Sequence, residues 1–196
     1  MLTKDQEKQN SRHINLYMEA NPNPNSMKFV VNYMLLPEGI SFDFPDKESA
    51  NASPLASELF QLPYVERVFF MSNFITITKN PDIDWIEINN ELKSLIKEYL
   101  QADKPLILDV QEDEFEEDDT EINMKIKNIL DEYIRPAVEQ DGGAISFHSY
   151  EDGVVKVLLQ GACSGCPSST ITLKAGIENL LKRMIPEIQS VEAIGV

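Results

Sequence analysis

Val154-Val155-Lys156-Val157-Leu158-Leu159-Gln160-Gly161-Ala162-Cys163-Ser164-Gly165-Cys166-Pro167-Ser168-Ser169-Thr170-Ile171 passes from a β-patterned run into a helix-patterned one, and its bend carries both cysteines of the 196-residue chain. Val154 to Gln160 has the β-branched, apolar composition of a strand. Beyond the bend, Leu173, Ile177, Leu180, Leu181 and Met184 recur at helical spacing through Ile185. Gly161 lets the chain leave the strand at an unusual φ, and Gly165 lets backbone approach whatever the thiols hold. Pro167, Ser168, Ser169 and Thr170 are helix-opening residue types, so the helix begins just after Cys166. Its N-terminal dipole favours thiolate over thiol, and thiolate is the form that binds metal. The spacing suits two adjacent ligands on one metal centre. Small neighbours predict a loop open to solvent, with both sulfurs facing the same way.

Upstream of this bend, Ile126, Ile129, Leu130, Tyr133 and Ile134 also follow helical spacing, and Pro136 predicts a kink or restart. Asp141-Gly142-Gly143 ends that helix, because glycine suits the left-handed conformation past a helix C-terminus. Ala144 to Ser149 and Val154 to Gln160 read as strands joined by a turn at Glu151-Asp152-Gly153, and Ser190 to Ile194 as a short last strand. The order is α-β-β-α-β.

Residues 112–121 hold eight acidic side chains and no basic one, half of the net charge of −16. This run reads as a solvated, extended linker whose self-repulsion lets flanking domains take several orientations. Before it, Ile14 to Met18 and Met27 to Leu36 read as strands around an irregular Asn21-Pro22-Asn23-Pro24-Asn25-Ser26 connection. Ser53-Pro54 caps and opens a short helix through Leu62. Val65 to Met71 and Phe74 to Lys79 form a hairpin about Ser72-Asn73, with Ile75 and Ile77 alternating against Thr76 and Thr78. Asp82 to Gln101 is a helix with Ile88, Leu92, Leu95, Ile96 and Tyr99 on one face. The sequence therefore predicts an α+β protein of two small domains: 1–110, an acidic linker 111–121, and 122–196. The first domain by itself shows no chemistry.

The chain has enough apolar content, 42%, to bury real cores. No basic patch matches a phosphate backbone, which argues against nucleic acid. No apolar stretch approaches the roughly 18–20 residues of a membrane span, and the charged Met1 to Lys8 lacks a signal-peptide core. These features predict a cytoplasmic protein with reduced cysteines.

A four-iron cluster or a tetrahedral zinc ordinarily takes four protein ligands. Two cysteines and two histidines are available, and His13 and His148 read as surface side chains outside ligand spacing. Twofold symmetry completes the set, with Cys163 and Cys166 of each of two chains giving four thiolates. Three alternatives stay open on the residues alone. A thioredoxin-like dithiol–disulfide oxidoreductase also carries its thiols between strand and helix, although here Ser-Gly separates them and no tryptophan precedes the first. Inter-chain zinc needs the same ligand count, and a purely structural pair of buried thiols fits the glycine- and serine-rich setting poorly.

Asp131-Glu132-Tyr133-Ile134-Arg135-Pro136-Ala137-Val138-Glu139-Gln140-Asp141-Gly142-Gly143, the segment Gly161 to Ser169, and Thr172-Leu173-Lys174-Ala175-Gly176-Ile177-Glu178 closely resemble the C-terminal domain of NifU-like (Nfu-type) iron–sulfur scaffold proteins. That resemblance covers 122–196. Pro22-Asn23-Pro24-Asn25-Ser26-Met27-Lys28-Phe29 and the Val65 to Thr78 hairpin are similar, more loosely, to the accessory Nfu N-terminal domain. The resemblance implies iron–sulfur cluster assembly without catalysis in the usual sense: a 4Fe–4S cluster bound transiently between the subunits of a homodimer, received from an upstream donor and passed to apo client proteins. The family's cluster ligands carry over onto Cys163 and Cys166 only. The cysteine-bearing scaffold and ferredoxin-like domains of three-domain NifU are missing here, which implies carriage and delivery over synthesis.

Overall fold

The computed structural model describes residues 13–108, 120–164 and 167–194. The charged N-terminal residues, the acidic run through Asp119, Gly165 and Cys166 lie outside the described residues. Within them the chain builds two antiparallel-rooted sheets, each with its own helices and its own apolar core.

The first half contributes β1 (Leu16–Ala20), β2 (Ser26–Val31), β3 (Ser41–Phe44), a 3-10 turn (Ser49–Ala52), α1 (Pro54–Leu59), β4 (Val65–Met71), β5 (Phe74–Lys79) and α2 (Trp85–Gln101). Its sheet runs β1-β2-β5-β4-β3 with all neighbours antiparallel. The tight turn between β4 and β5 has Ser72 at φ +48. Side chains alternate across a strand, and here both faces of the sheet are used. Phe29, Val31, Val68, Phe70, Ile75 and Ile77 point into a core closed by Leu55, Leu59, Leu92 and Ile96 from α1 and α2. The outer face carries Val30, Phe69, Met71 and Phe74, and these pack with Ala144 of the second half. Val68-Phe69-Phe70-Met71 is apolar without a break because each face of β4 meets a partner.

The second half contributes α3 (Glu121–Ile129), one wide π turn (Leu130–Ile134), α4 (Arg135–Gln140), β6 (Gly143–Glu151), β7 (Val154–Gly161), α5 (Pro167–Met184) and β8 (Ser190–Ile194). This is the expected α-β-β-α-β order. Glu121, last carboxylate of the acidic run, already lies in the first turn of α3, which Thr120 caps through Asn123 N at 3.3 Å. The sheet order is β6-β7-β8, with β7 antiparallel to β6 and parallel to β8, the geometry required when α5 forms the crossover. Ile126, Leu130, Val155, Val157, Leu159, Ile177, Leu181 and Val191 fill the core between the sheet and its helices.

One sequence expectation is corrected here. The acidic run predicts two domains that reorient freely, but the outer face of the first sheet rests on the second half. Linker composition does not report on the faces that the linker joins.

Candidate functional site

The sulfur loop leaves β7 at Gly161, whose φ of +63 turns the chain off the ladder. Residues 162 and 163 form a turn, and α5 starts at Pro167, directly after Cys166. The strand-to-helix placement read from the sequence is thus the observed one for Cys163, while Cys166 lies outside the described residues.

The exposure of Cys163 is not as the sequence predicts. Its residue exposure is 7%, and it joins the core of the second half rather than standing in solvent. Two glycines on the paired strands make this possible. Gly143 and Gly161 are register partners at the end of the β6–β7 ladder. A Cβ on Gly143 would stand 2.8 Å from Cys163 Sγ and 2.6 Å from the Gln160 carbonyl oxygen, so the thiol occupies the space that the missing side chain leaves. The next residue points inward as well, since Ser164 Oγ donates to Leu159 O at 2.7 Å. Small residues around the thiols read as openness, but they permit close packing equally well.

The backbone on either side of Cys163 is also held from the first half. Thr76 Oγ1 donates to Gly142 O at 2.7 Å, and Ala162 N donates to the same carbonyl at 3.2 Å. Asn23 Nδ2 donates to Ala162 O at 3.2 Å. Beside this segment the Asp43 carboxylate accepts from Arg67 Nε at 3.1 Å. Burial raises the Asp43 pKa above the usual carboxylate value, against the opposing pull of Arg67 and of the Gly161 amide. Further out, Ser41 Oγ donates to Gln160 Oε1 at 3.4 Å, and Lys28 Nζ reaches the Glu139 and Gln140 carbonyls at the end of α4, at 3.3 and 3.4 Å.

The histidines are where the sequence puts them. His13 and His148 are exposed, and His148 contacts only Ser149 Oγ, at 3.3 Å, among the described contacts. Among the described residues no group of three or more His, Cys, Asp or Glu side chains could hold a metal ion. Nor is any helix among them long and apolar enough to cross a membrane. The sequence reading missed Asn23 and Thr76. The unbroken apolar run in β4 was the available signal, since a strand covered on both faces implies a second partner beyond α1 and α2.

An α+β chain of two sheets, with its cysteines at a strand-to-helix bend, is the class that fold and site define, and comparison with known proteins makes it specific. Residues 16–103 match the family "Scaffold protein Nfu/NifU N terminal", and residues 126–192 match the "NifU-like domain". The chain is 42% identical over 186 residues to the NFU1 iron-sulfur cluster scaffold homolog, mitochondrial, of Drosophila persimilis, an alignment covering 93% of this chain and 66% of that protein. It is 45% identical over 176 residues to the protein of the same name from Drosophila grimshawi, covering 88% of this chain and 59% of that one. The chain thus spans about two thirds or less of the length of these relatives. A solution structure of a NifU-like protein from Saccharomyces cerevisiae is 30% identical, with a TM-score of 0.41 over 48% of this chain and 84% of that one. The chain belongs to the Nfu/NifU family as a two-domain Nfu-type protein. The relatives also correct the expected compartment: they are named as mitochondrial proteins, which points away from the cytoplasm. Reduced thiols indicate a reducing compartment and do not say which one.

Proposed function

We propose that this chain is an iron–sulfur cluster carrier that works in mitochondria, binding its cargo at Cys163 and Cys166 and passing it to apo client proteins without catalysing a reaction. The boundary between its two parts is placed at the acidic run, 111–121. The observation that carries this reading is the sequence position of both cysteines between the end of β7 and the start of α5, in a chain whose described residues hold no group of three or more His, Cys, Asp or Glu side chains that could bind a metal ion. The names of the relatives supply the cargo class, an iron–sulfur cluster. Two thiolates per chain leave a four-iron cluster two ligands short, so a second copy of the chain completes the set and the loaded form is a homodimer. A site held by two bonds per subunit at a junction between subunits can be filled and emptied, as delivery requires. Because Cys163 is buried, loading requires its thiol to turn outward before two copies can share a cluster.

The test is anaerobic reconstitution with iron and sulfide, followed by absorption spectroscopy and native mass measurement. About four irons per dimer, lost in both Cys163→Ala and Cys166→Ala, are expected. Four irons retained on a monomer, or iron content unchanged in either variant, would overturn the shared site.

A further inference from the structure

The sulfur loop is gripped from outside its own domain, and the grip is aimed at the two segments that bracket Cys163. One is Gly142-Gly143, whose missing Cβ makes room for the sulfur; the other is Gly161-Ala162, which leads into it. Thr76 takes the first at Gly142 O, and Asn23 takes the second at Ala162 O. Phe69, fully buried, lies against the face of Gly161 where a side chain would otherwise project.

Each of these groups is itself fixed. The Asn23 amide oxygen accepts from Asn25 N at 3.0 Å and its own backbone N–H donates to Asn21 Oδ1 at 3.1 Å, which aims Nδ2 at Ala162. Thr76 is 1% exposed on β5, between Ile75 and Ile77, which face the opposite core. A buried hydroxyl and a buried amide need partners somewhere. Simple domain adhesion, however, would spread such contacts over the second half, whereas these two meet at the base of one loop.

We infer that Asn23 and Thr76 are positioning residues of the sulfur loop, holding Cys163 turned inward so that separation of the two halves and exposure of the thiol are one event. This rests on the carrier reading only for its purpose. In that setting the first half guards the empty site and releases it when the halves part, and a donor or client that engages the outer face of β2-β5-β4 frees the loop.

The test uses the full chain with Cys166→Ser, so that every alkylation event belongs to Cys163, and no iron is added. The rate of modification by N-ethylmaleimide under native conditions is followed by mass spectrometry. Thr76→Val, which keeps the shape and removes the donor, and Asn23→Ala are each expected to raise the rate roughly five- to tenfold, the weight of one buried hydrogen bond. Thr76→Ser restores the donor and is expected to react like the parent. A merely structural role would shift the Trp85 unfolding midpoint without this pattern of loss and rescue. Rates equal to the parent in both Thr76→Val and Asn23→Ala, or a Thr76→Ser rate as high as that of Thr76→Val, would overturn the inference. If Asn23→Ala unfolds the first sheet, Thr76→Val against Thr76→Ser still decides. Reconstitution is a separate readout: protein that shows the rate pattern yet takes up no iron keeps the positioning role and loses the carrier reading.

Discussion

A methyl group at Gly161 would stand 2.8 Å from the Gly142 carbonyl oxygen and 2.8 Å from Cδ1 of Phe69, at a φ of +63. The left-handed backbone alone costs a residue with a Cβ about 1–2 kcal/mol, and neither the carbonyl nor the fully buried ring can retreat cheaply. Gly161→Val is therefore expected to lose at least about 2 kcal/mol in urea denaturation and to speed Cys163 alkylation by displacing Phe69. A variant as stable as the parent would show that the two halves part without cost at this point. The positive φ was legible from the sequence, as a glycine where a strand must end. The burial of Cys163 was not, because it depends on a side chain missing from Gly143, a residue brought opposite Gly161 only by strand pairing.

Elements were most legible where one local signal settles them. Ser53-Pro54 announces α1, and Ser53 Oγ does accept from Ala56 N, at 3.1 Å, in a fully buried setting. Ser53→Ala is expected to cost about 1–2 kcal/mol, measured by thermal or urea unfolding followed at Trp85. The hairpin of β4 and β5 was likewise plain, whereas β3 was missed: Ser41-Phe42-Asp43-Phe44 is short and carries an aspartate that only the neighbouring Arg67 and Gly161 make intelligible. Pro136 predicts a kink or restart, and the helix does restart: after one wide π turn, proline stands in the first turn of α4, where its missing N–H is harmless. At the other end of the domain, Glu178 ties α5 to β8, accepting from Lys182 Nζ at 2.6 Å and from Val191 N at 3.1 Å. The Lys182 hydrogen bond, then the Val191 amide, hold its pKa below the usual value. A depressed folded pKa means stability that is present above about pH 4.5 and is lost as pH falls through the folded value. The parent is thus expected to lose more stability than Glu178→Gln between about pH 5 and pH 3, read from urea midpoints; parallel pH curves for the two would remove this role.

At the scale of the molecule, the two cores are separate, and a third apolar cluster of buried residues joins the halves. Among the described residues, Ala144 is the one from the second half in that cluster; Val30, Phe69, Met71 and Phe74 come from the first. The two hydrogen bonds at the loop base, from Thr76 and Asn23, add roughly 1–3 kcal/mol at the usual net values. Domains of this size carry about 5–15 kcal/mol of their own, so the interface couples the halves without fusing them. The smaller second half buries the lesser share of its surface and should unfold first. Trp85 is the chain's single tryptophan and sits at the start of α2, its Nε1 donating to Pro24 O at 3.0 Å, so its fluorescence reports the first half only. Far-UV circular dichroism reports both halves. In urea, the dichroism change is expected to begin at lower denaturant than the fluorescence change, and the two midpoints should not coincide. The gap should widen in Thr76→Val, which loosens the second half from its neighbour while leaving the first core intact. Coincident transitions by both probes would mean that the grip on the sulfur loop is strong enough to make one cooperative unit of the chain, and a thiol so held could be released only by unfolding, which no carrier could use.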